Sequence, residues 1–236
     1  MLDTYLEQSS NDLFLANDSS FFIKRNSVEE NQVNIQLALP STQDRHIVEH
    51  FIWKGFSKYY NANIQQFLPN LISIKLNDSI QSALGLRVVG SRSSFIEQYL
   101  NSPIETLFEN EQVFRKQIGE IGNLYGSKKS FTLRLFIVTA LVAAHAGLTK
   151  LVFCATPQVK MIMKSLSMSV LYLKDADPKC LGKQVAQWGR YFDTSPEIVA
   201  IDLEQAIYLI ERSERYSKIS YDLSSQIDWI SKFLIK

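Results

Sequence analysis

Hydrophobic and polar residues alternate in several short runs of this chain, and each such run predicts a β-strand. The run Val33 to Leu39 has apolar residues at every second position and is followed by a proline. Two further apolar segments, Leu71 to Leu76 and Ile80 to Val89, lie on either side of the turn pair Asn77-Asp78. We therefore expect an antiparallel hairpin here.

The middle of the sequence alternates between strand and helix patterns. Phe114 to Ile121 predicts a strand, and Phe131 to Ala146 is a long apolar segment that predicts a helix. Leu151 to Cys154 follows as a short buried strand, and Pro157 to Leu166 predicts another helix. The expected order is β-α-β-α-β.

Weaker signals predict the other elements. Ser41 to Asp44 is typical of a helix start with a capping acid, and Ser102 to Glu105 is typical of a helix that ends near Asn110. The first of these helices has apolar residues at near-helical spacing: Ile47, Phe51, Phe56 and Tyr59. The last strands are expected at Ser169 to Leu173, Tyr191 to Phe192 and Ile198 to Ile201, and the last helices at Leu203 to Arg212 and Leu223 to Leu234.

No Pro-, Gly- or Ser-rich linker divides the 236 residues, which predicts one elaborated domain. Residues 1–31 are polar and aperiodic apart from the clusters Leu13 to Leu15 and Phe21 to Ile23, and they predict a loosely ordered arm with one short strand. Residues 32–203 are expected to form the domain. Residues 204–236 are expected to form a C-terminal helical extension packed on it.

Composition narrows the possible partners and the compartment. The formal net charge is +1, with 25 basic and 24 acidic residues, so neither nucleic acid nor an anionic membrane is expected as the main partner. The N-terminus lacks the basic flank and apolar core of an export signal, and the longest apolar run, Leu135 to Ala144, is too short to span a bilayer. The expected location is the cytoplasm.

One charged residue interrupts an apolar strand in the middle of the chain. Glu120 lies in Gly119-Glu120-Ile121-Gly122, shortly before the loop that leads into the long helix. Burial would raise the pKa of its carboxyl group and suit it to accept a proton from an amine or a water molecule. The alternative is a structural ion pair with Arg115 or Arg87. The residue pattern leaves both interpretations open.

The loop after this strand carries groups that can bind a phosphate. Ser127-Lys128-Lys129-Ser130 supplies backbone N–H groups, hydroxyls and two ammonium groups at a helix start. Its glycine spacing and final residues differ from those of a P-loop. A solvated capping loop without a ligand explains the same residues equally well.

Other catalytic patterns do not occur in the sequence. His46, His50 and His145 lack the spacing of a zinc site, so no metal is expected. No Gly-x-Ser-x-Gly motif indicates a serine hydrolase. Cys154 falls on a predicted buried strand, where a structural thiol is more common than a nucleophile.

A series of motifs follows in a fixed order between about Arg45 and Leu203. They are Leu84-Gly85-Leu86-Arg87, Phe95 to Leu100, Pro103-Ile104-Glu105, Gly119 to Leu124, Ala176-Asp177-Pro178, Trp188-Gly189-x-Tyr191 and Pro196-x-Ile198-Val199-Ala200. In this order they resemble the bacterial family named thermostable hemolysin, which is similar to GNAT-type acyltransferases and to acyl-homoserine-lactone synthases. The resemblance implies a mixed α+β, three-layer fold with a central, mostly antiparallel, split sheet flanked by helices.

The resemblance also implies roles for residues on the acceptor side. Arg87, Phe95-Ile96-Glu97 and Glu120 to Leu124 are at places similar to the Arg, Phe/Glu and Glu segments of the synthases. Glu120 is then expected to accept the amine proton, and Asn123 to orient the acceptor or a water molecule. Arg87 and Glu97 are expected to form a charge pair beside the acceptor.

The donor implied by the resemblance is a thioester on phosphopantetheine, with no permanently bound cofactor. Tyr125 to Ser130 replaces the usual GNAT pyrophosphate loop, which favours an acyl carrier protein over coenzyme A because the carrier has one phosphodiester. The residues expected to bind the donor are Leu124, Tyr125, Gly126, Ser127, Lys128, Lys129 and Thr156. Candidate contacts for the acidic carrier are Lys150, Lys160 and Lys164. Trp53, Phe56, Tyr59 and Tyr60 are expected either in an acyl tunnel or, more often, in the core.

The expected function is transfer of a long-chain acyl group from an acyl carrier protein or coenzyme A to the amine of a small polar acceptor, such as an amino acid. Gly122-Asn123-Leu124 replaces the Ser-Arg-Phe of the synthases, so homoserine lactone is not expected as the product. Two alternatives remain open: a membrane-active hemolysin, with Leu223 to Leu234 as its amphipathic helix, or an inactive protein that binds an acyl group or a partner. Membrane contact is otherwise expected only peripherally, through an acylated product.

Overall fold

A single mixed sheet of seven strands forms the centre of the part of the chain that the computed structural model describes, residues 32–90, 94–108 and 111–234. The predicted arm of residues 1–31 falls outside this part. The strands are β1 (Val33–Ala38), β2 (Asn70–Leu76), β3 (Ser79–Val88), β4 (Ile118–Gly126), β5 (Lys150–Ala155), β6 (Leu171–Asp175) and β7 (Glu197–Asp202).

Six α-helices and several 3₁₀ segments lie between and after these strands within the described residues. The helices are α1 (Arg45–Tyr60), α2 (Lys129–His145), α3 (Pro157–Ser165), α4 (Leu203–Arg212), α5 (Glu214–Asp222) and α6 (Ser224–Leu234). The 3₁₀ segments are Ile96–Gln98, Ile104–Leu107, Arg115–Gln117, Pro178–Trp188 and Tyr191–Thr194.

The strand order is β1-β2-β3-β4-β5-β7-β6, and all neighbours pair antiparallel except β4 and β5. The predicted hairpin is confirmed as β2 and β3. Its turn residues Asn77 and Asp78 have φ values of 45° and 64°, the left-handed conformation that a tight two-residue hairpin requires. The fold is mixed α+β with a mostly antiparallel open sheet, as expected.

Side chains alternate between the two faces of the sheet, and each face is covered by different elements. On one face, Leu84, Ile121 and Phe153 pack with the apolar helix α2, which α4, α5 and α6 cover in turn. The other face carries α1 and the 3₁₀ segments, and Arg87 and Glu120 point to this side among smaller apolar clusters. The site residues therefore lie between the sheet and an irregular layer.

The sheet splits between β4 and β5. Their parallel pairing joins Ile118–Ile121 to Lys150–Phe153 and then stops, although β4 continues to Gly126. In the same region a bulge places Asn123 and Leu124 between the residues of β4 that pair with Ala83 and Gly85 of β3. Asn123 adopts a left-handed φ of 54° there. Because a bulge bends and twists its strand, it favours the separation of β4 from β5.

Several predicted boundaries are wrong. The strand expected from Phe114 begins only at Ile118, because Phe114 and Gln117 close a local turn in which the Phe114 N–H donates to Gln117 Oε1 at 3.0 Å. The helix expected from Ser102 to Asn110 is the short 3₁₀ segment Ile104–Leu107. Its Glu105 carboxylate contacts Arg115 at 2.6 Å and does not cap the segment.

Other differences lie near the C-terminus and at α1. Tyr191–Phe192 belongs to a 3₁₀ segment, because the Tyr191 ring is buried against Trp188 and Phe56 and its hydroxyl donates to the Cys154 carbonyl oxygen at 3.4 Å. The strand expected from Ser169 begins at Leu171, and α5 was not predicted. Asp44 precedes α1 as expected, but its side chain makes no capping bond.

The end of α1 is joined to the Trp188-Gly189-x-Tyr191 motif by backbone hydrogen bonds. Arg190 N donates to Tyr60 O at 2.7 Å, and Asn63 N donates to Gln187 O at 2.7 Å. Gly189 adopts φ 53° and ψ −123°, and a Cβ at this position would overlap the carbonyl oxygens of Tyr60 and Asn61. This close approach requires glycine.

Gly189→Ala should lower the free energy of unfolding by about 1–3 kcal/mol from backbone strain, with further loss from the overlap. The measurement is urea denaturation followed by circular dichroism. Gly90→Ala is the matched control, since a Cβ there meets no atom of the described residues within 4 Å. Equal midpoints for the two variants would contradict the role assigned to Gly189.

Candidate functional site

Glu120 and Arg87 form an ion pair on the α1 side of the sheet, where they are direct partners in the register of β4 and β3. Glu120 is 1% exposed. Its Oε2 accepts hydrogen bonds from Nε of Arg87 at 3.0 Å and from Nη2 of Arg87. Of the two ion-pair partners considered for Glu120, Arg87 is therefore the one found.

The same carboxylate also binds the backbone of a neighbouring segment. Ile96 N donates to Glu120 Oε1 at 3.0 Å, and Phe95 N donates to Oε2 at 3.3 Å. Burial raises the pKa of Glu120 above its usual value, while Arg87 and these two amides oppose the increase. The carboxylate thus joins two strands to the 3₁₀ segment Ile96–Gln98.

The prediction that Arg87 and Glu97 form a charge pair is wrong. Arg87 lies opposite Glu120 in the strand register, and its guanidinium therefore pairs with the carboxylate of Glu120. Glu97 instead accepts from Nη1 and Nη2 of Arg115 at 2.6 and 3.0 Å. It also accepts from Ser94 N at 2.8 Å and Ile104 N at 3.1 Å. Glu97 therefore fixes the segment that contributes two amides to Glu120.

A cavity of about 430 Å³ adjoins the Arg87–Glu120 pair. Arg87 and Glu120 are the only charged residues among the described residues that line it. Aromatic rings form much of its wall: Phe56, Tyr60, Phe67, Phe95, Tyr99, Phe136, Phe153, Trp188 and Tyr191. The cavity can therefore hold a long apolar group next to one charged pair.

Asn123 also lines this cavity, but its side chain is used to hold a loop. Its Oδ1 accepts from Leu68 N at 2.9 Å, and its Nδ2 donates to Gln66 O at 3.0 Å. Leu68 packs so closely on β3 that a Cβ at Gly85 would lie 2.7 Å from Leu68 Cβ. Asn123 therefore fixes the segment from Ile64 to Leu68 that forms one wall of the cavity.

A second cavity of about 700 Å³ lies on the other side of the split, at the beginning of α2. Five of the residues expected to bind a donor line it: Leu124, Tyr125, Gly126, Lys129 and Thr156. Ser127 and Lys128 do not, and the Ser127 hydroxyl donates to Gln81 Oε1 at 3.1 Å. Tyr125 packs over α1 at Gly55, where a side chain would overlap its ring.

The two cavities adjoin at the split between β4 and β5. They share five lining residues: Phe56, Tyr60, Leu124, Thr156 and Val159. Of the aromatic residues considered for an acyl tunnel, Phe56 and Tyr60 line both cavities and Tyr59 lines the second. Trp53 lines neither and donates instead to Asn63 Oδ1 at 3.0 Å.

Sequence reasoning missed several lining residues. Gln65, Gln66, Gln184 and Gln187 line the first cavity, and Arg190 and Asp193 line the second. Most of them lie in irregular segments without hydrophobic periodicity. The one available signal was the motif Trp188-Gly189-x-Tyr191, whose two aromatic residues both line the first cavity.

Other candidates have different environments from those expected. Lys150 cannot serve as a carrier contact, because it is 4% exposed and its Nζ lies 2.6 Å from Glu111 and from Asp202. Lys160 pairs with Glu197 at 2.5 Å. Cys154 lines the first cavity, and burial raises the pKa of its thiol to about 12.

The described residues contain neither a helix long and apolar enough to cross a membrane nor a group of three metal-binding side chains. The helix considered as a membrane-active element is α6. Its apolar side, with Ile227, Ile230 and Leu234, is buried against the rest of the protein. The amphipathic pattern is therefore explained by packing.

The fold is similar to that of several proteins of known structure. FeeM, an N-acyl amino acid synthase from uncultured soil microbes, gives a TM-score of 0.52 at 7% identity over 76% of this chain and 94% of that chain. TofI in an apo form gives 0.52 at 10% identity over 78% and 99%. The AHL synthase LasI gives 0.49 at 14% identity over 73% and 91%. At these identities the similarity to FeeM and TofI establishes the fold alone.

Family membership is established by sequence. Residues 38–207 match the model of the thermostable hemolysin family, and the chain belongs to that family. Comparison with curated proteins gave no significant match.

Glu97→Gln should lower the free energy of unfolding by about 1–3 kcal/mol near neutral pH, because the hydrogen bonds to a charged partner are lost. Arg115 lowers the pKa of Glu97 from 4.5 to about 2. A lowered carboxyl pKa stabilises the fold above the unfolded value, and this stabilisation is lost as pH falls toward the folded value. The difference between variant and natural protein should therefore shrink between pH 4.5 and about 2.

The measurement is chemical denaturation at a series of pH values. Asp222→Asn is the control, since the exposed Asp222 pairs with Lys218 at 3.6 Å and an exposed pair should contribute roughly 0–1 kcal/mol. A Glu97→Gln effect that does not vary with pH would contradict the charge pair with Arg115.

Proposed function

We propose that the protein is an N-acyltransferase that moves a long-chain acyl group from a phosphopantetheine thioester to the amine of a small polar acceptor. The observation that supports it most is the pair of cavities that adjoin where β4 separates from β5. One cavity lies at a helix N-terminus, and the other contains a buried carboxylate beside aromatic walls. A donor and an acceptor could therefore meet at the split.

The donor is proposed to enter through the second cavity. Lys129 and the first N–H groups of α2 can bind the phosphate of phosphopantetheine, since a helix N-terminus carries a partial positive charge. Tyr125 and Thr156 line the path toward the split. The short loop before α2 favours the single phosphodiester of an acyl carrier protein over the pyrophosphate of coenzyme A, and Arg190 adds a cation on the same side.

The proposed reaction is attack of the acceptor nitrogen on the thioester carbonyl carbon. The C–N bond forms, the C–S bond breaks, and the sulfur leaves as a thiol after it takes up a proton. Backbone amides of β4 beyond Ile121, where the pairing with β5 has ended, can stabilise the negative charge on the carbonyl oxygen.

Glu120 is proposed to accept the proton of the amine, directly or through a water molecule. A pKa raised by burial suits this role, because a base is most effective when its pKa approaches the working pH. The longest hydrogen bond to Glu120 is the one from Phe95 N, at 3.3 Å. We expect this bond to break most easily when Glu120 accepts the proton. Arg87 holds the carboxylate in place during this step.

The acyl chain is proposed to lie along the aromatic walls of the first cavity. Phe56 and Tyr60 extend from the second cavity into the first, so a chain attached to a thioester at the split passes directly between them. Asn123 is proposed to act on the acceptor side through the loop that it holds and, with its remaining acceptor capacity, through a water molecule.

Glu120→Gln should lower kcat by at least about 100-fold, because the amide cannot accept the proton. The assay combines acyl carrier protein and coenzyme A thioesters of several chain lengths with amino acids and amines, and follows thiol release and product mass. In the natural protein, the acid limb of the kcat/KM profile should lie above pH 4.5, since burial raises the pKa of Glu120 from that value and the base must be deprotonated.

Circular dichroism must show that Glu120→Gln keeps the fold, because the change also weakens the contact with Arg87. A folded variant with unchanged kcat would exclude Glu120 as the base. Absence of thiol release with every donor, together with lysis of lipid vesicles by the pure protein, would contradict the acyltransferase proposal as a whole.

Lys129→Gln should raise KM for the donor by roughly 3- to 10-fold with little change in kcat, because the phosphate is bound equally in the ground and transition states. Lys128→Gln is the matched control, since the adjacent lysine does not line the cavity. The measurement is donor saturation kinetics at low ionic strength. Equal effects of the two substitutions would contradict donor entry at this cavity.

A further inference from the structure

The guanidinium of Arg87 has hydrogen-bond donors that Glu120 does not use. Arginine carries five N–H groups, and in Arg87 only Nε and Nη2 contact the carboxylate. Nη1 has no partner among the described residues. The side chain of Arg87 is 31% exposed, whereas that of Glu120 is 2% exposed, so the arginine is the member of the pair that remains accessible.

The charge that a ligand can reach in the first cavity is therefore positive. Arg87 and Glu120 are its only charged groups among the described lining residues, and both oxygens of Glu120 already accept hydrogen bonds. A ligand in the cavity meets a partly free cation and no free carboxylate. An acceptor with a second positive charge, such as a polyamine or a sulfonium compound, would find no group to balance that charge.

The other polar groups that line this cavity are uncharged, and several of them are amides. The side chains of Gln65, Gln66, Gln184 and Gln187 line it and have no hydrogen-bond partner among the described residues. Amides can donate and accept hydrogen bonds, so they can bind a small polar group, but they carry no charge that would neutralise a cation. They lie on the loop after α1 and on the segment Pro178–Trp188, the two regions joined through Gly189.

We infer that the acceptor is an amino acid whose carboxylate binds the free edge of Arg87. This inference rests on the proposed acyl transfer and names the class of its acceptor. Guanidinium and carboxylate groups match in geometry and form short, charge-assisted hydrogen bonds. The α-amine, one carbon away from the carboxylate, then lies beside the Arg87–Glu120 pair, where Glu120 can take its proton. Arg87 thus selects the acceptor and also holds the base.

The first test compares two product analogues that differ only in charge, N-dodecanoylglycine and N-dodecanoylglycinamide. The acid should bind the natural protein at least about 10-fold more tightly in a calorimetric titration, because only the acid can pair with Arg87. Equal affinities would overturn the inference. This test requires no turnover, so it does not depend on the success of the transfer assay.

Variants test whether Arg87 causes the difference in affinity between the acid and the amide. Arg87→Gln alone would leave Glu120 buried without its partner, so the double variant Arg87→Gln/Glu120→Gln removes both charges together. It should bind the acid and the amide with equal affinity, whereas Arg212→Gln, on the exposed side of α4, should keep the natural ratio. A preference for the acid that survives in the folded double variant would also overturn the inference.

A turnover test separates the inference from the proposed function. Each amino acid is compared with its α-carboxamide and with the amine that lacks the carboxylate. The acid should be favoured in kcat/KM by about 100-fold or more, since the missing group leaves Arg87 unpaired. Equal turnover of all three would refute the carboxylate subsite and leave acyl transfer intact. No turnover, combined with tighter binding of the acid analogue, would refute acyl transfer and leave the subsite.

Discussion

The ion pair of Arg87 with Glu120 is the interaction on which the site depends. It crosses from β3 to β4 at paired positions and, through two amides, also holds the 3₁₀ segment at Phe95 and Ile96. Loss of Arg87 would leave the charge of Glu120 buried without its partner, at a cost of about 3–5 kcal/mol. A second charged group, Glu97 with Arg115, secures the same segment from its other side. These charged contacts therefore fix the segment Ile96–Gln98 over the sheet, together with the apolar packing of Ile96.

The opening of the sheet between β4 and β5 coincides with the bulge at Asn123 and Leu124. β4 pairs with β5 over only four residues before the bulge at Asn123 and Leu124. The side chain of Asn123 then binds two backbone groups of the loop after α1, and that loop forms a wall of the first cavity. One left-handed residue thus contributes to both the strand separation and the position of the wall. A bulge next to a functional site is a common use of this irregularity.

The sequence allowed most of the regular elements to be predicted, because each has a local signal. The Asn77-Asp78 turn defined the hairpin, and the long apolar run defined α2. The partner of Glu120 was narrowed to two arginines, but the choice between them depends on strand register, which sequence spacing does not reveal. For the same reason Glu97 was paired with the wrong arginine. The glutamines of the first cavity lie in irregular segments, where hydrophobic periodicity carries no information. The domain limits and the roles of Asn123 and the donor-binding residues stay predictions.

Cys154 has a consequence for the chemistry that such a cavity can host. A thiol next to an acyl thioester could capture the acyl group by exchange, and the protein would then acylate itself. Exchange requires the thiolate, and burial raises the pKa of Cys154 to about 12, so the sulfur stays protonated at neutral pH. The apolar surroundings that would solvate a fatty chain thus also keep the Cys154 thiol protonated and unreactive.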